Sequence, residues 1–259
     1  MTFRVRIEEA VKKNCSNIVL ALDFPFENPA NRQTLCTRAE RVLDAVYPYI
    51  CAVKINHHLF LPLGVFDALQ KVLKKVHEKG LVAIADAKIN DIGSTNQVIA
   101  EYYFAAGFDA VIANPFVGWE EGLQPVFETA GKYHGGVILL VYMSHKGASE
   151  GYGQTVADSE TGQKQPQYVL FARKALKWGA DGVVVGATYP DKIRKVREVL
   201  GGKIPIYSPG IGPQGGVIAS ALESGAQYLI VGRAITAAEN PAESAKEIRN
   251  MAKAYLNKL

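Results

Sequence analysis

Eight short runs of Val, Ile, Leu and Ala punctuate the chain: NIVLALDF (17–24), YICAVKIN (49–56), LVAIADAK (81–88), AVIANPF (110–116), GVILLVYM (136–143), GVVVGA (182–187), IPIYSPGI (204–211) and YLIVGRAI (228–235). Most are continuously apolar. A strand with one wet face alternates polar and apolar residues, whereas a strand covered on both faces does not, so these runs predict a parallel sheet buried on both sides. Between them lie segments with apolar and charged faces at helical spacing, such as FDALQKVLKKVHEKG and QPQYVLFARKALKWGA. Several end at a glycine (Gly80, Gly107, Gly179, Gly225), the residue that best tolerates the turn closing a helix. Strand and helix repeated in this way build either a (β/α)8 TIM barrel or a doubly wound sheet, and eight repeats in 259 residues favour the barrel, as a single catalytic domain over residues 1–259. The first dozen residues predict an extra N-terminal helix across the barrel bottom.

Bulk properties narrow the function. A formal net charge of +4, with lysines and arginines scattered among acids, gives no nucleic-acid or membrane footprint but suits a small anionic substrate. No apolar stretch reaches the roughly 18 residues of a membrane span, and the N-terminus lacks the apolar core of a signal peptide. Three cysteines with no CxxC spacing argue against a disulfide framework or zinc site and fit a reducing cytoplasm.

Chemistry in such a barrel lies where strands end. Those ends carry Asp23, Lys54, Asp86, Lys88 and Ser144, with Asp91 just beyond the third run. Side chains alternate along a strand, so Asp86 and Lys88 share a side, and Lys54 comes from the neighbouring strand. The last two strands lead into SPGIGPQGG and VGRAI. Glycines let backbone N–H groups approach an anion, and Arg233 can grip a phosphate through paired hydrogen bonds. Asn56 and Asn114 are lesser candidates for substrate hydrogen bonds. The adjacent His57 and His58 lack a third ligand at metal spacing and suit a helix start. The segment 144–165, rich in Gly, Ser and charge, is expected to be a long loop without regular structure.

These motifs, LALDF, VKIN, DAKINDIGSTN, YMSHKGA, SPGIGPQGG and VGRAI, stand in the order found in orotidine 5'-monophosphate decarboxylases, and the chain resembles that family over residues 18 to 240. The resemblance implies decarboxylation of orotidine 5'-monophosphate to UMP in pyrimidine biosynthesis without metal or cofactor. Under it Lys88 protonates C6 of the pyrimidine, Asp86 lies beside the departing carboxylate, and Lys54 and Asp91 complete an alternating charge network. Asp23 and Lys54 bind ribose hydroxyls, and Ser144 contacts the pyrimidine. Pro209 starts a lid from which Gln214 covers the phosphate, held by Gly232 and Arg233. It also implies a homodimer in which Asp91 and Thr95 reach the neighbouring site.

The segment after Ser144 departs from the family pattern, being longer and more acidic than in compact members. Two rival functions are weighed against this one. A magnesium-dependent ketose-phosphate decarboxylase or aldol-type synthase shares the Asp-x-Lys-x-x-Asp element but carries an acidic residue near the end of the second strand, where this chain has Lys54. A barrel that only binds a sugar phosphate would not be expected to keep all four charges.

Overall fold

The computed structural model describes residues 1–256 apart from 27, 29, 30, 160 and 213–215, with nothing said of the Leu256 side chain. The eight apolar runs form the strands of a closed, all-parallel barrel. They are β1 (Ile18–Ala21), β2 (Ala52–Ile55), β3 (Val82–Ile89), β4 (Ala110–Ala113), β5 (Gly136–Tyr142), β8 (Gly182–Val185), β9 (Ile206–Pro209) and β10 (Tyr228–Val231). β6 (Thr155–Ala157) and β7 (Lys164–Pro166) lie outside the barrel. β1 pairs with both β2 and β10, which closes the ring. The short barrel strands β1, β2, β4, β8 and β10 are buried at every position, as continuous apolar runs require. Each Val, Ile or Leu so buried contributes about 1.5–3 kcal/mol of hydrophobic stabilisation.

Gly80, Gly107, Gly179 and Gly225 all take positive φ, between 70° and 110°, as their place after a helix predicts. Gly179 caps Gln167–Trp178 in the left-handed conformation. The expected N-terminal helix is Phe3–Asn14, and it covers the bottom. Fully buried Phe3 lies so close to Gly136 that a Cβ there would sit 2.3 Å from its ring, so the start of β5 must be glycine. Two ion pairs fasten the helix: Arg4 Nε to Asp181 at 3.0 Å and Arg6 Nε to Asp109 at 2.9 Å. Each aspartate precedes a strand and also accepts from a backbone N–H of the adjacent one, Asp109 from Ala83 at 2.8 Å and Asp181 from Val137 at 2.9 Å. The same carboxylate device thus closes the floor twice.

The segment after β5 is more ordered than its composition predicts. It holds a one-turn helix, Ala148–Gly151, and an antiparallel hairpin of β6 and β7. Strands of three residues leave no periodic signal. What anchors the segment is Tyr152, buried among the rings of Tyr142, Phe116 and Phe171. No helix among the described residues is long and apolar enough to cross a membrane.

Candidate active site

β3 delivers the central charges, by a route strand periodicity does not describe. Ala85 faces Val111 of β4, but Ile89 faces Ala113, so four steps along β3 match two along β4. The excess is a bulge holding Asp86, Ala87 and Lys88, and Lys88 adopts φ +49°, in the left-handed region. Such a conformation costs a lysine about 1–2 kcal/mol and survives where the surroundings impose it. Bulges re-aim side chains at the rims of barrels. Here the bulge turns Asp86 and Lys88 together into the mouth.

The carboxylate of Asp86 divides its two oxygens between two ammonium groups. Oδ2 accepts from Lys54 Nζ at 2.7 Å and Oδ1 from Lys88 Nζ at 2.6 Å. Lys54 and Asp86 are buried, whereas the Lys88 side chain is 40% exposed and opens to the cavity. Burial pushes the Asp86 carboxyl pKa up, but Lys54 and Lys88 outweigh it and hold the pKa below its ordinary value. For Lys54, burial lowers the pKa, and Asp86 and Asp23 together raise it beyond the ordinary lysine value. Asp23 Oδ1 lies 3.5 Å from the Lys54 ammonium, too far for a good hydrogen bond, and has no donor among the described residues. The Asp23 side chain as a whole is 29% exposed and borders the cavity, where a carboxylate can accept from a ligand hydroxyl.

The mouth encloses a cavity of about 650 Å³, into which Asp23, Lys54, Asp86, Lys88, Ser144, Pro209, Gly232 and Arg233 all project or border. Gly216 donates to the Gly210 carbonyl at 3.0 Å, and Gly212 to that of Gly216 at 3.2 Å, closing the neck of the loop after β9. A Cβ at Gly216 would fall 2.5 Å from the Gly210 oxygen, so this close approach needs glycine. Gln214, expected at the tip of that loop, lies outside the described residues. Arg233 opens the helix Arg233–Thr236 and makes no ion pair among the described residues. Its guanidinium is available to an anion.

Within the single chain, Asp91 and Thr95 do not join the cluster. Both are exposed and neither lines the cavity. Asp91 Oδ1 accepts from the Ile92 N–H at 2.8 Å. Asn114 is not a wall residue either: its Oδ1 accepts from Phe116 N at 3.3 Å and its amide reaches Tyr152 Oη at 3.4 Å. Asn56 does line the cavity, while its Oδ1 caps the helix His57–Leu63 by accepting from His58 N at 2.9 Å. His57 and His58 start that helix, as their spacing predicts. His58 also borders the cavity, and its Nδ1 bonds the Phe24 carbonyl, which requires the proton on that nitrogen. Arg38 is a wall residue with no sequence signal; it stands 4.6 Å over the Phe24 ring from the helix Arg32–Val46.

Fold and site define a class: (β/α)8 barrels whose mouth joins a lysine–carboxylate array to a glycine-bearing loop and an arginine. Residues 16–248 match the model of the orotidine 5'-phosphate decarboxylase / HUMPS family. An orotidine 5'-phosphate decarboxylase of Methanosarcina acetivorans is 35% identical over 84% of this chain and 90% of its own length. That of Pyrococcus furiosus is 38% identical over 89% of this chain and 95% of its own. Among solved structures, orotidine 5'-monophosphate decarboxylase from Methanocaldococcus jannaschii, complexed with the inhibitor BMP, superposes with a TM-score of 0.74 at 30% identity, covering 92% of this chain and 98% of that one. The OMP decarboxylase of Leishmania donovani gives 0.84 at 26% identity, covering 99% and 100%. The chain belongs to the orotidine 5'-phosphate decarboxylase / HUMPS family.

Proposed function

We propose that this chain decarboxylates orotidine 5'-monophosphate to UMP without a metal ion, with Lys88 as the acid. One observation carries the choice within the family: the Lys54 ammonium lies between two carboxylates, 2.7 Å from Asp86 and 3.5 Å from Asp23. A magnesium-dependent relative needs a divalent cation held by carboxylates near this point. Here a lysine supplies the positive charge and would repel the ion.

The chemistry follows from the geometry. As the bond from C6 to the carboxylate breaks, carbon dioxide departs and the electron pair stays on C6. The Lys88 ammonium, held by Asp86 and open to the cavity, stabilises that pair and then gives it a proton; the resulting amine regains one from solvent. Fixed charges set before the reaction need no reorganisation, which is where most electrostatic catalysis arises. Asp86 fixes the position of Lys88 and faces the leaving carboxylate. The Asp23 carboxylate and Lys54 take ribose hydroxyls, Ser144 the pyrimidine, and Arg233, Gly232 and the loop from Pro209 through Gln214 the phosphate. Phosphate binding, remote from the reacting carbon, can hold the loop closed during the chemical step.

We also read the working unit as a homodimer. Thr95, Val98 and Tyr102 fall on one face of the helix Gly93–Ala105, and all three are exposed. Phe66, also exposed, meets Tyr102 with ring centroids 5.8 Å apart, and exposed Leu61 and Ile92 add apolar surface nearby in the chain. An apolar face of this kind beside Asp91 suits a second copy that would receive Asp91 and Thr95 at its mouth. A cytoplasmic setting is supported by the three free cysteines.

The test is ultraviolet depletion of orotidine 5'-monophosphate in EDTA. The wild type should remain active, Lys88→Ala should lose about 10³-fold or more in kcat, and Arg233→Ala should chiefly raise KM by about 10- to 100-fold. Activity abolished by EDTA, or retained by Lys88→Ala, would overturn the assignment.

A further inference from the structure

A second cavity, of about 700 Å³, lies at the opposite end of the barrel, between the N-terminal helix and the starts of β8, β9 and β10. It is as large as the catalytic mouth, and the proposed reaction makes no use of it. Lys12, Arg197, Lys203 and Lys253 line it, and none has an ion pair among the described residues. Arg4 is already neutralised by Asp181, which leaves Glu8 as the single unpaired carboxylate of the wall. The surplus is three positive charges, four cations less one anion. Beneath the cavity, Tyr207 and Asn17 are only 1% exposed, and Tyr207 Oη and Asn17 Oδ1 have no partner among the described residues.

We propose that this cavity binds a phosphate-bearing small molecule of about nucleotide size. The phosphate would take the rim of Arg197, Lys203 and the two other lysines. Four cations with no ion pair among the described residues suit a dianion better than a carboxylate, and the volume exceeds what inorganic phosphate alone would fill. The site has a direct route to the mouth: β9 runs from Tyr207 at this cavity to Pro209 at the other, and β10 from Tyr228 to the turn at Gly232.

Calorimetric titration of the intact chain with AMP, and separately with inorganic phosphate, tests this. AMP should bind saturably at one site per chain. Its affinity should survive Arg233→Ala, which disables the mouth, and fall about tenfold or more in Arg197→Ala/Lys203→Ala, a loss of one or more charge-assisted contacts. Phosphate binding as tightly as AMP, with the same response to the variants, would retain the anion site and assign it to the free ion. No saturable binding of either probe, or binding lost in Arg233→Ala and kept in the double variant, would overturn the proposal.

Discussion

Replacing Asp86 by asparagine tests the central claim about the charge cluster. The carboxylate accepts from two ammonium groups, at 2.7 and 2.6 Å. An asparagine offers one carbonyl oxygen and one NH₂, and the NH₂ must face one of the two lysines, donor against donor. Lys54 is 5% exposed, and its remaining carboxylate, Asp23, stands 3.5 Å away. Stranding a buried charge in this way costs about 3–5 kcal/mol. The contact to Lys88 adds no more than about 1 kcal/mol, because that side chain is 40% exposed. At roughly 2–4 °C per kcal/mol for a chain of this size, the melting temperature should fall by about 6–24 °C. Urea unfolding followed by fluorescence of the Trp119–Trp178 pair, with centroids 5.3 Å apart, reads the change. The midpoint should drop with the slope unchanged. Adding Lys54→Met removes the stranded cation, so the double variant should be more stable than the sum of the single effects predicts. A loss below about 1 kcal/mol, or strict additivity, would refute the claim that this pair is buried and mutually dependent.

Stability should also track pH at both ends. The lowered Asp86 pKa contributes stability that is complete above the unfolded value of 3.8 and lost as pH falls through the folded value beneath it. The raised Lys54 pKa contributes stability that is complete below 10.5 and lost as pH rises through the folded value above it, so melting scans across pH should show a plateau between these limits and a shallower acid limb in Asp86→Asn. Lys88→Gly and Lys88→Ala both abolish the ammonium, but only glycine relieves φ +49°, so the glycine variant should be the more stable of the two by about 1 kcal/mol in urea titration. Val98→Asp should convert a dimer to a monomer by analytical ultracentrifugation and depress decarboxylation as Asp91 and Thr95 are withdrawn; a wild type already monomeric at micromolar concentration would remove the basis for that reading.

The barrel was legible because strands covered on both faces cannot hide: an apolar run such as GVILLVYM has few other stable fates in a chain this size. The N-terminal helix was equally visible. The pairing of Asp86 with Lys88 was anticipated from strand alternation, yet the structure achieves it with a bulge and a left-handed lysine, features that depend on β3 meeting β4 and leave no mark in local sequence. Arg38 carries no local signal, and His58 reads only as a helix start, for a related reason. Their place in the wall follows from packing around Phe24, a contact across elements that no spacing encodes. Asn114 sits at a strand end as substrate-binding residues do, but its amide serves the turn at Phe116 instead. The hairpin of β6 and β7 is too short to generate a period, and its anchor, Tyr152, lies among ring partners distant in sequence.

The paired aspartates of the floor bear on how such a chain can change. Arg4, Arg6, Asp109 and Asp181 knit the barrel at one end, and Asp23, Lys54, Asp86, Lys88, Ser144 and Arg233 border the cavity at the other. A strand of four residues separates the two by about 13 Å. Mutations that remodel the rim for a different phosphorylated compound therefore leave these anchors untouched, and inheritance can experiment with reactivity while the scaffold beneath stays intact.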